Sequence, residues 1–283
     1  MNNYLALTKP RITVLILICT AVGFYFGAHG SWGPLALFHT LAGTALMASG
    51  TAALNQWMER GADSKMRRTR ARPIPAGRIS PNNALLFGIA VSAAGFIDLF
   101  LGANGLTASL GLLTLLSYLF LYTPLKQRSP LCTTIGALPG AMPPLIGYAG
   151  ASGLLSWEAA ALFAILFVWQ FPHFYAIAWM YRDDYARGGI KMLPVVKPDG
   201  AATARQIVIC SLLLIPVSLI PKLLGMTGVI YGGGALILGL GFLYYGVRAS
   251  RDLSIPRARN VLLASVTYLP ALLALMVLDR PAL

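Results

Sequence analysis

The chain has 283 residues, 57% hydrophobic and only 11% charged, with a mean hydropathy of +0.70 and a formal net charge of +13. Soluble proteins carry about 25% charged residues, so a soluble protein with a large core is excluded and most of this surface must face lipid or other apolar helices. The basic excess is sorted by membrane side, as shown below, and nucleic acid is not among the expected partners.

Nine apolar stretches of membrane-spanning length are predicted at about 11–28, 35–57, 83–101, 106–123, 131–149, 157–180, 206–221, 227–247 and 259–278. The first has a short basic flank and no cleavage-site pattern, so it is expected to be a retained span and not a signal peptide. Numbering the connections alternately puts 20 of the 22 Lys and Arg residues on one side, leaving Lys222 and Arg280 on the other. The positive-inside rule makes the rich side cytoplasmic. The expectation is a multi-pass protein of a bacterial inner membrane, with the N-terminus cytoplasmic and the C-terminus extracytoplasmic. Cys19, Cys132 and Cys210 are isolated in or beside apolar stretches and no CxxC occurs, so they are expected to be small packing residues.

The polar residues are then taken in order. Asn55, Glu59 and Asp63 recur every four residues where the second apolar stretch runs out, and the basic segment KMRRTRARPIPAGR follows from Lys65 to Arg78. On a helix such spacing places all three on one stripe. Three oxygen-bearing side chains there suit a hard cation such as Mg²⁺, and the arginines beyond, Arg67, Arg68 and Arg72, suit a phosphate. Charged helix ends also occur as simple snorkelling ion pairs, but Asn55 lies deeper, where an unpartnered amide is expensive. The fourth span ends in LYTPLKQRS, with Tyr122 and Lys126 at its cytoplasmic edge. His173 lies inside the sixth span, in WQFPHFYAIAW; an intramembrane ionisable group is a functional candidate, although a histidine among aromatics also packs as a core residue. Pro172 would free a backbone carbonyl in the preceding turn. The sixth span runs into YRDDYARGGIKMLPVV, a second cytoplasmic loop with acids first and bases after: Asp183, Asp184, Arg182, Arg187 and Lys191. Adjacent aspartates diverge by about 100° on a helix, so only one of the pair can point at a shared ion. Asp98, Glu158, His29 and His39 map to the opposite side and are assigned to no site; Asp98 within a span has no explanation from sequence.

On these residues the chain resembles the intramembrane, UbiA-type prenyltransferase superfamily, whose polar motifs take the form NxxxDxxxD. Within it the resemblance is to the haem-directed branch, the protohaem IX farnesyltransferases or haem O synthases. It is carried by LTKPRI ending at Ile12, NxxxExxxDxxMxRTxxRPxP from Asn55 to Pro75, YTPLK from Tyr122, PGAMPPLIGY from Pro139, and PHFYAIAWMYRDDY…MLPVV from Pro172, in order over nearly the whole chain. Glu59 stands where the wider superfamily has Asp. The second superfamily motif, DxxxD, is absent, and His173 with Asp183 and Asp184 occupies that region. The resemblance implies a single all-α domain over 1–283, its nine or so helices bundled around a cavity open to the cytoplasmic side.

The resemblance also implies the reaction: farnesyl diphosphate gives its farnesyl group to a vinyl group of haem B, water adds, and haem O and diphosphate result. Mg²⁺ would be held by Asn55, Glu59 and Asp63, with Asp183 or Asp184 opposite, Asp184 being the expected ligand. Arg67, Arg68, Arg72, Arg182, Lys191, Tyr122 and Lys126 would bind substrate. His173 would orient haem, ligate its iron, or act on the water. The lipid bilayer is the setting, and handover of product to a haem A synthase or to terminal-oxidase assembly is a further expectation. Two rival readings fit the residues less well. Prenylation of a quinone or chlorophyll precursor fits Glu59 and PHFY…MLPVV less well. A transporter would string ionisable groups along a path through the membrane, whereas here they crowd at one edge.

Overall fold

The computed structural model describes residues 3–30 and 33–281, and among these every regular element is helical. In chain order they are α1 (Asn3–Leu7), α2 (Pro10–Gly27), α3 (Pro34–Lys65), α4 (Pro81–Gly102), α5 (Gly105–Leu116) running through a π-helical segment (Ser117–Tyr122) into α6 (Thr123–Leu125), α7 (Cys132–Gly140), α8 (Pro143–Ser152), α9 (Trp157–Met180), α10 (Arg182–Arg187), α11 (Leu193–Val196), α12 (Ala201–Leu223), α13 (Val229–Arg251) and α14 (Ile255–Leu278). Proline at the first turn opens α2, α3, α4, α8 and α14, where its missing N–H costs nothing and its fixed φ suits the helix. Ser80, Asn104 and Ser156 cap α4, α5 and α9 by accepting from the backbone N–H groups of Asn83, Thr107 and Glu158 with Ala159.

Eight helices are long and apolar enough to cross a bilayer: α2, α3, α4, the α5–α6 stretch, α9, α12, α13 and α14. The fifth expected stretch, 131–149, is not one continuous helix. It is built as α7 and α8, interrupted at Ala141–Met142. Pro143 and Pro144 are the cause: neither has an N–H to donate back along a helix, and both instead start a new one.

The chain falls into two compact units, Met1–Leu155 with Asp183–Lys191, and Ser156–Arg182 with Met192–Leu283. In the first unit α3 packs on α4, and α2 on α8, through glycines. A Cβ on Gly147 would fall 1.9 Å from the Thr20 carbonyl oxygen and one on Gly23 2.1 Å from that of Pro144; Gly50, Gly88 and Gly95 play the same part between α3 and α4. Small residues let backbones approach where lipid gives helices no hydrophobic drive to associate. Asp98, the acid inside a span, is paired: the His39 Nδ1 lies 2.8 Å from its Oδ1, joining α3 to α4.

α3 has 32 residues, so it is about 48 Å long against a hydrocarbon thickness of about 30 Å. Its last turns therefore overshoot the apolar stretch, which is where the Asn55–Asp63 stripe sits.

In the second unit α9 packs against α12 and α14, and hydroxyls pair several buried polar groups. The Tyr231 hydroxyl donates to the Ser218 carbonyl at 2.7 Å, and Ser218 Oγ and the Tyr268 hydroxyl lie 2.6 Å apart. Asp279, after α14, accepts from the Tyr231 N–H at 2.7 Å and so caps the start of α13.

Gly147→Ala should destabilise the protein by about 1–3 kcal/mol, seen as a lower melting temperature in detergent. Gly61→Ala is the control. A Cβ there meets nothing within 4 Å, and the helix should gain up to about 1 kcal/mol. Equal melting of the two variants would contradict the close α2–α8 approach.

Candidate active site

The stripe on α3 is buried: Asn55 is 1% exposed, Glu59 9% and Asp63 0%. Charge held out of water needs a partner, and each member of the stripe has a different one. The Lys9 ammonium donates to Asn55 Oδ1 at 3.5 Å. The Lys126 ammonium donates to Glu59 Oε1 at 2.8 Å. Arg72 Nη1 donates to Asp63 Oδ2 at 2.6 Å.

Each base is placed by its local backbone. Lys9 sits in the left-handed region, φ 49°, immediately before Pro10, and the Gln56 amide, donating to the Leu7 carbonyl at 2.9 Å, ties this segment to α3. Burial first, then the neighbouring Arg72 and Lys126 charges, push the Lys9 ammonium down to about 7, against the pull of Glu59 and Asp63. Lys126 is presented by a wide helical turn. Pro124 has no N–H, and the Thr123 N–H reaches the Tyr118 carbonyl, a π-type bond five residues back. The Lys126 ammonium lies 4.3 Å from the centre of the Tyr122 ring and 5.8 Å from that of Tyr118, a cation–π cradle. Tyr122 is held in turn against Gly136, whose missing side chain makes the room. Arg72 lies in the turns of the basic loop, its N–H bonded to the Thr69 carbonyl, while Thr69 Oγ1 donates to the Asp63 carbonyl at 2.9 Å.

Asn55 is also fixed from its other side. Its Nδ2 donates to Thr123 Oγ1 at 3.1 Å, and Thr123 Oγ1 donates to the Tyr118 carbonyl at 2.9 Å. The amide is thus oriented with nitrogen toward Thr123 and oxygen toward a cation. Asp63 Oδ1 is buried with no hydrogen-bond partner, an orphan acceptor that costs free energy as it stands. These two observations fit the stripe to a hard cation. The described residues contain no group of three His, Cys, Asp or Glu side chains placed to hold a metal, so the donor set is two carboxylates and an amide oxygen.

Asp184 is tied to the basic loop. Its Oδ1 and Oδ2 accept from the backbone N–H groups of Arg67 and Arg68, each at 3.0 Å, and Arg187 Nη2 is bonded to Oδ1. Both oxygens are engaged, and the carboxylate acts as a clamp on the basic loop. Burial raises its pKa, but Arg187 and the two N–H groups outweigh that and hold the carboxyl below its ordinary value of 3.8. Arg68 lies over the Tyr185 ring at 5.8 Å. Asp183 and Lys191 are exposed, and the Lys191 N–H donates to the Lys126 carbonyl at 2.7 Å.

The first unit therefore brings together Asn55, Glu59, Asp63, Arg72, Tyr122 and Lys126, with Arg67 and Arg68 set by Asp184. His173 and Arg182 belong to the second unit. There Arg182 stacks on Trp179 at 4.5 Å and donates to its carbonyl at 3.1 Å. His173 stacks on Trp169, 4.8 Å between centroids, and its Nδ1 lies 2.8 Å from Ser265 Oγ. Ser265 Oγ also donates to the Leu262 carbonyl at 2.6 Å, an arrangement that favours the tautomer with the proton on Nδ1 and the lone pair on Nε2. Sequence reasoning about individual residues missed Lys9, Thr123 and Tyr118. The signals were there: a lysine locked before a proline, and a Thr-Pro pair one turn after a tyrosine.

The UbiA prenyltransferase family model matches residues 16–274. A protoheme IX farnesyltransferase of Solibacter usitatus is 59% identical over 100% of both chains, and one of Koribacter versatilis is 49% identical over 99% of this chain and 94% of its own. A digeranylgeranylglyceryl phosphate synthase has the same fold, with TM-score 0.81 at 17% identity, covering 98% of this chain and 97% of that one. So does a UbiA homolog from Archaeoglobus fulgidus bound to GPP and Mg²⁺, with TM-score 0.68 at 18% identity over 98% and 100%.

The Asp184 clamp sets a pH dependence. A carboxyl with a lower pKa folded than unfolded stabilises the fold above its ordinary value and loses that contribution as pH falls through 3.8 toward the folded value. The melting temperature should drop over this window in the wild type and drop less in Asp184→Asn, which starts lower. Parallel curves would remove Asp184 from the linkage.

Proposed function

The chain belongs to the UbiA prenyltransferase family, and on that footing we propose how its own residues carry out prenyl transfer. It is a multi-pass membrane enzyme that transfers the farnesyl group of farnesyl diphosphate to a vinyl group of haem B with addition of water, giving haem O and diphosphate. The observation that carries the assignment of roles is the buried stripe of α3, matched member by member to Lys9, Lys126 and Arg72.

The chemistry begins with breaking the allylic C–O bond, which leaves the electron pair and the charge on diphosphate. Asn55 Oδ1, Glu59 and Asp63 Oδ1 are the oxygens that would hold Mg²⁺, which when bound neutralises the departing diphosphate. Asn55 and Asp63 are about 12 Å apart along the helix axis, so Glu59, one turn from each, is the member that any ion on the stripe must share. Arg72 and Lys126 bind diphosphate oxygens by exchanging part of their carboxylate bonding for the phosphate, and Arg67 and Arg68 add charge from a loop whose backbone is already fixed by Asp184. Tyr122 and Tyr118 face the Lys126 ammonium with their rings and hold it in place. The vinyl carbon attacks the farnesyl cation, and the new cation beside the porphyrin is quenched by water, which loses a proton. His173, with Nε2 unprotonated, binds the haem through its iron, and Ser265 sets that tautomer. Apolar spans keep stray water from the allylic cation.

The whole chain acts as one prenyltransferase domain, a reading supported by the family match across both units. The charge asymmetry supports a bacterial inner-membrane location with the N-terminus cytoplasmic and the C-terminus outside. Opposite termini need an odd number of crossings, so α7 and α8 together make one.

Purified protein with haem B, farnesyl diphosphate and Mg²⁺ should give, by mass spectrometry, a haem heavier by a farnesyl and a hydroxyl group, and EDTA should stop it. Glu59→Gln should lower kcat/KM on the order of 10²–10³-fold while the protein still folds. Undiminished transfer by that variant would end the stripe's role. Separately, His173→Ala should shift the Soret band of bound haem, and Ser265→Ala should weaken haem binding by less. An unchanged spectrum in His173→Ala would rule out iron ligation.

A further inference from the structure

An open groove lies between α13 and α14 in the second unit, well apart in sequence from the α3 stripe. It has a volume of about 350 Å³, within the ~300–1,000 Å³ typical of small-ligand sites. It runs along residues 237–245 of α13 and 260–268 of α14, about 12 Å of each helix, and is therefore elongated parallel to the spans. Its walls include Ile237, 72% exposed, and Leu263, 55% exposed.

One glycine explains why the groove is open. Gly241 lines it, yet a Cβ there would meet nothing within 4 Å. Gly239, two residues earlier, is required by packing, since its Cβ would fall 2.9 Å from Ile215 Cγ1. Neither packing nor a left-handed φ requires glycine at 241. What its missing side chain does is leave the floor of the groove clear.

The groove has a charged end. A second, narrow cleft continues it, sharing Tyr245 and Asn260 and adding Arg248 and Arg257. Arg248 is held over the Tyr244 ring at 5.7 Å. Arg257 donates to the Arg248 carbonyl at 3.1 Å and the Asp252 carbonyl at 3.4 Å, with the Asp252 carboxylate 3.8 Å away. From Arg248 to Arg259 the chain has four arginines and one acid, Asp252, so the end of the groove is net positive. The Asn260 side chain is positioned where the apolar cleft meets the basic one.

We propose that this groove is a binding site for an anionic phospholipid. One acyl chain lies along Ile237, Gly241 and Leu263, the phosphate sits on Arg248 and Arg257, and Asn260 donates to an ester or phosphate oxygen. Arginines at a helix end beside lipid-facing apolar surface are complementary to an anionic headgroup, and the groove continues that complementarity into the hydrocarbon.

The test is native mass spectrometry of the delipidated full-length protein with equal amounts of dioleoylphosphatidylglycerol and dioleoylphosphatidylcholine. Bound phosphatidylglycerol should exceed phosphatidylcholine at least about fivefold. Arg248→Gln should reduce that preference about fivefold. Gly241→Leu, with every charge intact, should reduce binding of both lipids by filling the groove. Both variants should keep wild-type melting and farnesyl transfer in detergent. Equal uptake of the two lipids, an unaltered preference in Arg248→Gln, or full lipid binding by Gly241→Leu would overturn the proposal. So would displacement of the bound lipid by equimolar farnesyl diphosphate, which would make this a substrate groove.

Discussion

The C-terminal end of α3 and the segments around it depend on one constraint: charge buried at the end of a membrane helix must be matched. Asn55, Glu59 and Asp63 are on a single helix, but their partners come from three separate places. Lys9 precedes the first long helix, Lys126 follows the π-helical turn, and Arg72 lies in the loop after α3. Breaking a buried pair from one side typically costs about 3–5 kcal/mol, because the remaining charge is stranded. The segments carrying the bases are therefore pulled to α3 by the same interactions that assemble the site. The distortions nearby serve this pairing. The left-handed Lys9, the π-helical segment and the carboxylate of Asp184 under the basic loop each deliver a base or its backbone to the stripe.

The second unit solves its polar burial differently. It uses neutral groups: Tyr231 to Ser218, Ser218 with Tyr268, His173 with Ser265, and Trp169 Nε1 donating to the Ser265 carbonyl at 2.9 Å. A neutral hydroxyl network is cheaper to bury than charge, and it can fix an imidazole tautomer without charging it.

Much of this was legible in the chain. The overshoot of α3 follows from an apolar run that ends in polar residues still spaced at four, and the structure carries the helix on through Asp63 to Lys65. The apolar periods located the spans because lipid imposes a length on them. Other features were not legible, for physical reasons. The break before Pro143 depends on two missing N–H groups, which a hydropathy average does not register. The bonds from Asp184 to backbone N–H groups 117 residues away were not legible, because a carboxylate near bases reads the same whatever it faces. Asp98 looked anomalous until His39, 59 residues distant, was found beside it. Long-range partners of this kind leave no mark in local spacing.

The π-helical segment Ser117–Tyr122 carries a consequence for length variation in this fold. A π turn holds one residue more than the α turn it replaces, so everything after it is rotated about 100° relative to an unbroken α-helix. Thr123 and Lys126 owe their bearing on Asn55 and Glu59 to that phase offset. Removing a single residue between Leu116 and Thr123 would turn the lysine away from the stripe without deleting any functional side chain. The span therefore keeps count of its residues, as a gear keeps its teeth.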